Sequence, residues 1–183
     1  METASRRGQT QYLSDLPRNS RTGSSQNSAI DTVSHWDGDG VPGSPRIKID
    51  LSDQKAYYFK GDELVGVSMI STGREGFDTP TGNFSISQKS ANHRSNLYGE
   101  WIDSAGNVID NDVDVRQKPN PPPGVRFVGA PMPHFMRING GVGMHAGYLP
   151  GFPASHGCIR MPAHMAERFF HESPHGTPVS VSY

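Results

Sequence analysis

The sequence has 183 residues with 17 basic and 18 acidic side chains, a formal charge of −1, and its basic residues are spread out, which argues against a nucleic-acid partner. Hydrophobic residues make up only 33% of it, and no apolar run approaches the roughly 18 residues of a membrane span. A single cysteine excludes an internal disulfide, and 21 glycines with 15 prolines favour strands and turns over helical bundles.

Residues 1–44 read as a disordered or linker-like tail. Polar and small residues dominate, and Leu13, Leu16, Ile30 and Val33 stand isolated, too few to offset the entropy of ordering the segment. His35-Trp36-Asp37 is the one place with the means to dock. No charged-then-apolar leader of signal-peptide form opens the sequence.

One domain is expected over residues 45–183. Ile47, Ile49 and Leu51 alternate with polar residues, the period of a half-buried strand. Ser52-Asp53-Gln54 turns the chain into a returning strand over 55–59, and Lys60-Gly61-Asp62-Glu63 turns it again into 64–70, a β-meander. A Gly/Pro/Thr-rich loop at 72–82 precedes a strand around Phe84 and Ile86. Residues 88–133 are the least regular part. A hairpin can form across Ser104-Ala105-Gly106, and the proline run at 119–123 cannot join a central sheet. Strands at 135–138 and 142–145 flank Asn139-Gly140-Gly141, a hairpin turn. Pro162 can start a helix whose Met165, Ala166 and Phe169 share a face with Met161. Val179, Val181 and Tyr183 alternate as a closing strand. The expectation from these patterns is a mainly β domain with one helix near its C-terminus and a long irregular stretch over 88–133.

The chemistry-bearing stretch is Ser155-His156-Gly157-Cys158-Ile159-Arg160, with His145 thirteen residues before the cysteine. A thiol attacks carbonyls as thiolate, and an ordinary cysteine with a pKa of about 8.5 is mostly protonated at neutral pH. A nearby imidazole can take that proton and leave a thiolate–imidazolium pair. Gly157 allows close backbone approach, and the amides of Gly157 and Cys158 are candidate oxyanion donors. Arg160 offers a two-pronged carboxylate contact or support for the site. The rival reading of Cys158 is a small buried hydrophobe, but its neighbours are polar and glycine-rich. A zinc site from His145, His156 and Cys158 lacks a second pair of ligands at the usual spacing. His93, His134 and His164 carry no motif, and His171 and His175 straddle a helix end.

Three separated segments resemble YkuD-type L,D-transpeptidases. They are the opening strand 46–54, the Ser71-Thr72-Gly73 stretch running through Thr79-Pro80-Thr81-Gly82 to Phe84, and Met144-His145-Ala146-Gly147 followed by Ser155-His156-Gly157-Cys158-Ile159-Arg160. The resemblance covers about residues 45–183. Ala146 stands where many members have glycine, and the His145-to-Cys158 spacer is short.

The resemblance implies a YkuD-like β-sandwich and a cysteine acyltransferase acting on peptidoglycan stem peptides. Cys158 would be the nucleophile and His145 the base, its second ring nitrogen set by a backbone carbonyl of Ala146 or Gly147. His156, Ser155 and Gly157 would be supporting residues. Arg160 would bind substrate, with Tyr98 and Trp101 as contacts from a lid formed by the insertion. A thioester on Cys158 would pass to an acceptor amine, giving a 3→3 cross-link, with no metal or cofactor and with carbapenem β-lactams as covalent inhibitors. The location implied is the periplasm or cell envelope. Two other readings stay open: hydrolysis of the same bond by an L,D-carboxypeptidase or endopeptidase, and a catalytically inert wall-binding module.

Overall fold

A computed structural model describes residues 31–183; the part of the expected tail before residue 31 lies outside them. In chain order the elements are β1 (His35–Trp36), β2 (Pro45–Asp50), β3 (Lys55–Lys60), β4 (Glu63–Met69), β5 (Gly82–Ser85), β6 (Gln88–Asp103), β7 (Val108–Asp114), β8 (Val125–Asn139), β9 (Val142–Ala146), β10 (Ile159–Met161), α1 (Ala163–Glu172) and β11 (Pro178–Ser182). One sheet runs β1-β4-β3-β2-β11-β5 and the other β10-β9-β8-β6-β7. Residues 31–93 with 132–183 make one compact unit, and residues 94–131 make a second. No helix among the described residues is long and apolar enough to cross a membrane.

The larger unit is built on the alternation read in β2. Ile47 and Ile49 are buried while Arg46 and Lys48 face solvent. β3 and β4 follow as an antiparallel meander. β11 adds Val179 and Val181 to the same buried face. It lies inside the sheet, parallel to β2 and antiparallel to β5, and Tyr183 beyond it is exposed. From the other sheet, Met136, Ile138, Met144, Ala146, Ile159 and Met161 meet this core, together with Met165, Ala166 and Phe169 of α1. Each fully enclosed aliphatic side chain contributes about 1.5–3 kcal/mol. α1 starts after Pro162, as the sequence suggests, with the proline at the N-cap position and no side-chain capping bond.

Within residues 31–44, His35–Trp36 docks rather than trailing free. β1 pairs with β4, and the Trp36 ring packs edge-on to Tyr58 at 5.1 Å and near Phe169 at 6.2 Å. Tyr58 is fully buried, and its hydroxyl donates to Glu172 O, which anchors the end of α1.

The insertion is more regular than its composition suggests. The hairpin expected around Ser104-Ala105-Gly106 forms, with Tyr98 opposite Asp114 and Trp101 opposite Asp110. Its flanks continue as the long strands β6 and β8, so the irregular part narrows to residues 115–124, which hold the proline run. Polar strands of this kind carry little hydrophobic alternation and owe their form to pairing. In the smaller unit the Gly99 and Gly129 backbones approach so closely that a Cβ would lie 2.2 Å from Val128 O and 1.8 Å from Ser95 O, respectively.

Candidate active site

β9 and β10 run parallel with Met144 opposite Ile159, His145 opposite Arg160 and Ala146 opposite Met161. Side chains alternate across a strand, so the apolar partners enter the core while His145 and Arg160 share the other face. Ala146 points into the core, 8% exposed, where a methyl is accommodated. Gly147 lies against Arg160 instead: a Cβ there would come within 3.1 Å of the arginine's Cγ.

His145 is 3% exposed. Its Nδ1 lies 2.8 Å from Ala146 O. A carbonyl only accepts, so Nδ1 carries the proton and Nε2 presents its lone pair. Nε2 is enclosed and has no hydrogen-bond partner among the described residues. Burial, then the charges of Arg160 and His93, push this imidazole down to about 4, against the opposing bond to Ala146 O. The Phe135 ring stands 6.4 Å from His145 and stacks on His93 at 4.2 Å.

Cys158, just before β10, is half-buried. Its Sγ is 3.6 Å from Gly141 O, and the Gly143 amide hydrogen-bonds the sulfur. Burial pushes the thiol up, while the Gly143 amide, Arg160 and Arg137 pull it down by less. Both shifts disfavour charge, so the resting state is a neutral thiol and a neutral imidazole. The preformed thiolate–imidazolium pair expected from the sequence is not what this environment favours, because desolvation penalises both ions.

The two glycine-rich motifs interlock. Ser71 and Arg160 exchange backbone hydrogen bonds at 3.0 and 2.9 Å, and Thr72 O accepts from the amides of Ala154 and Ser155. Thr79 Oγ1 accepts from the Gly73 amide at 3.0 Å and donates to Gly157 O at 2.8 Å. Gln54 grips Thr72 through both ends of its amide. Ser155 Oγ donates to Cys158 O and accepts from the Gly157 amide. Of the two amides expected to serve an oxyanion, that of Gly157 is thus engaged inside the loop. Gly157 itself has φ of 111°, a conformation L side chains rarely adopt.

His156 faces away into this framework. Arg74 Nη2 donates to its Nε2 at 2.9 Å, so the ring proton is on Nδ1, and Phe77 meets the ring edge-on at 4.7 Å. The Arg74 guanidinium lies over the Phe77 ring, 4.4 Å from its centroid.

His145, Ser155, His156, Gly157, Cys158 and Arg160 therefore come together in the larger unit. Tyr98 and Trp101 belong to the smaller one, where Tyr98 accepts a hydrogen bond from Arg116, itself paired with Asp114. Sequence reasoning assigned no role to Gln54, Arg74, Phe77, Thr79, Arg137 or Phe135, although the first four stand inside the segments that carry the resemblance.

The family model for the YkuD L,D-transpeptidase catalytic domain matches residues 44–181. No curated protein matches significantly. Among solved structures, an L,D-transpeptidase from Mycobacterium smegmatis shares the fold at 19% identity and TM-score 0.57, over 76% of this chain and 59% of its own. An Enterococcus faecium L,D-transpeptidase carrying a cysteine-to-serine substitution matches at 23% identity and TM-score 0.57, over 77% and 50%. An LD transpeptidase in complex with imipenem matches at 18% identity and TM-score 0.57, over 76% and 59%. The chain thus spans between half and three fifths of the length of these relatives. By its matched segment and its fold, the chain belongs to the YkuD family of L,D-transpeptidase catalytic domains.

Proposed function

We propose that the chain is a cysteine acyltransferase acting on peptidoglycan stem peptides in the cell envelope. The observation that carries this reading is the His145 imidazole, protonated at Nδ1 by its bond to Ala146 O, with an enclosed and unsatisfied Nε2. Its strand pairs with the one that Cys158 leads into.

Substrate binding excludes water and brings a carbonyl to Sγ. His145 Nε2 takes the thiol proton as sulfur bonds to the carbonyl carbon at the L-centre of the stem's diamino acid. The Cys158 amide is the donor best suited to the oxyanion, since the Gly157 amide serves Ser155. Collapse expels terminal D-alanine, whose nitrogen receives the proton from His145, and leaves a thioester. An acceptor amine then attacks, loses its proton to His145, and the thiolate leaves and is reprotonated, forming the 3→3 link.

Arg160 is 5% exposed and opposite His145, which supports a role in holding the imidazole neutral more than direct contact with substrate. His156 positions the Cys158 loop. Tyr98 and Trp101 are proposed as stem contacts from the insertion. No metal or cofactor takes part in this reaction.

Intact mass after exposure to meropenem tests the nucleophile: one adduct is expected, absent in Cys158→Ala. Failure of the wild-type chain to form it would remove Cys158 from the reaction. Tetrapeptide muropeptides resolved by mass test the outcome, with cross-linked dimers expected; shortened monomers alone would mean hydrolysis.

A further inference from the structure

His134 on β8 has φ of 55°, the left-handed region, uncommon for any residue with a side chain. Such conformations persist where the surroundings hold them, often at ligand clamps. Its Nδ1 is enclosed and has no hydrogen-bond partner among the described residues, although buried polar atoms are nearly always partnered. The ring leans on Phe170 at 5.4 Å and on His171 at 6.2 Å, both on α1. Glu167 and His171 are four residues apart on that helix and so share a face. One donor atom from each of His134, Glu167 and His171 lies within 4.8 Å of the other two.

We propose that His134, Glu167 and His171 bind a divalent transition cation, zinc above others, that ties β8 to α1. Two imidazoles and a carboxylate are a zinc donor set, with the fourth position left for water. Magnesium and calcium prefer all-oxygen shells, and soft copper(I) prefers sulfur. Zinc bonds of about 2.1 Å place tetrahedral donors about 3.4 Å apart, so donors that lie within 4.8 Å of one another need close by at most roughly 1.4 Å. Glu167 and His171 are exposed and able to swing in, while His134 is held in place.

The cation would act as a structural clamp. The whole donor set exists only in the folded chain, so binding adds to folding stability. The site does not use Cys158 or His145 and stands independently of the acyl-transfer reading. It is connected to that site through the backbone, because Phe135, the next residue after His134, packs beside His145. The sequence signal was available: Glu167 and His171 have the spacing of helical metal ligands, but the third ligand lies 33 positions before Glu167.

The experiment uses the chelator-treated full chain carrying Cys158→Ser, which removes the competing thiol, with zinc titrated by calorimetry and thermal melting. One equivalent is expected to bind, and Tm to rise by about 5–11 °C at a hundredfold excess over Kd. Adding His171→Ala or Glu167→Gln, both at exposed helix positions that do not threaten folding, is expected to weaken binding by about tenfold or more. Unchanged affinity in both variants, or no binding at about 1 mM zinc, would overturn the proposal.

Discussion

His145 and Arg160 face each other across the parallel β9–β10 pair, and both are almost fully enclosed, at 3% and 5% exposure. A guanidinium is charged at every accessible pH, so a second cation beside it in a desolvated setting is disfavoured. Burial contributes most, Arg160 and His93 add to it, and the imidazole falls to about 4. The pairing keeps a proton acceptor available at neutral pH beside the thiol's strand.

That depression makes stability depend on pH. The imidazole titrates near 6.5 in the unfolded chain and about 4 in the folded one, so between these values the unfolded chain holds the extra proton. Stability therefore rises with pH through this window and levels off above it. Falling from pH 7 to below 4 costs about 3 kcal/mol through this group alone. Urea melts between pH 4 and 7 should show a shallower slope in His145→Gln than in the wild type. Equal slopes would mean that His145 is already charged in the folded state or titrates normally there.

The thiol predicts the opposite end of the scale. Burial raises Cys158, so alkylation by iodoacetamide should accelerate through an inflection above the ordinary thiol value of about 8.5, with no plateau at neutral pH. Arg137 is one of the two cations that favour the thiolate. Arg137→Gln should move the inflection higher still. An inflection below about pH 7.5 in the wild type would establish a preformed ion pair and refute the neutral resting state.

Much of this was readable from local pattern. Ile47, Ile49 and Val179 sit in strands with period-two alternation, Met144 follows a hairpin turn, and Met165, Ala166 and Phe169 mark one helix face. The Ser155–Arg160 motif located the nucleophile's neighbourhood. Ile159–Met161 escaped because three residues carry no periodicity; they become a strand only by pairing with β9. The polar first half of β6, residues 88–96, was hidden for a related reason, since backbone pairing rather than an apolar face defines it. The partners that shape the site were out of reach because they are distant in the chain. Arg74 meets His156 across 82 positions, Thr79 meets Gly157 across 78, and Gln54 meets Thr72 across 18. The neutral resting pair was equally illegible, because desolvation belongs to the assembled fold.

Thr79 is the clearest of those distant partners to test. Its hydroxyl, on a residue 4% exposed, satisfies both the Gly73 amide and the Gly157 carbonyl. Thr79→Val keeps the volume and orphans both groups, at a cost of about 1–3 kcal/mol. Because Gly157 precedes the nucleophile, meropenem acylation should also slow, and Thr79→Ser should restore both properties. A valine variant with unchanged melting and acylation would show that the bridge contributes nothing.

Trp36 bears on where the folded domain begins. Its ring packs against Tyr58 and Phe169, and its Nε1 donates to Asp39. The fit depends on glycine opposite: a Cβ at Gly66 or at Gly38 would lie 2.6 Å from ring atoms. Trp36→Ala should therefore destabilise by about 3 kcal/mol, since it exposes two core aromatics as well as removing its own packing. For a domain of this size that is a fall in Tm of roughly 6–12 °C. Tyr58 carries the effect to α1 through its bond to Glu172 O, whereas His145 and Cys158 are held by Ala146 O and Gly141 O, so acylation by meropenem should stay within about twofold at temperatures where the variant is folded. Melting unchanged by Trp36→Ala would mean that β1 is a passive end of the chain and that the domain starts at β2.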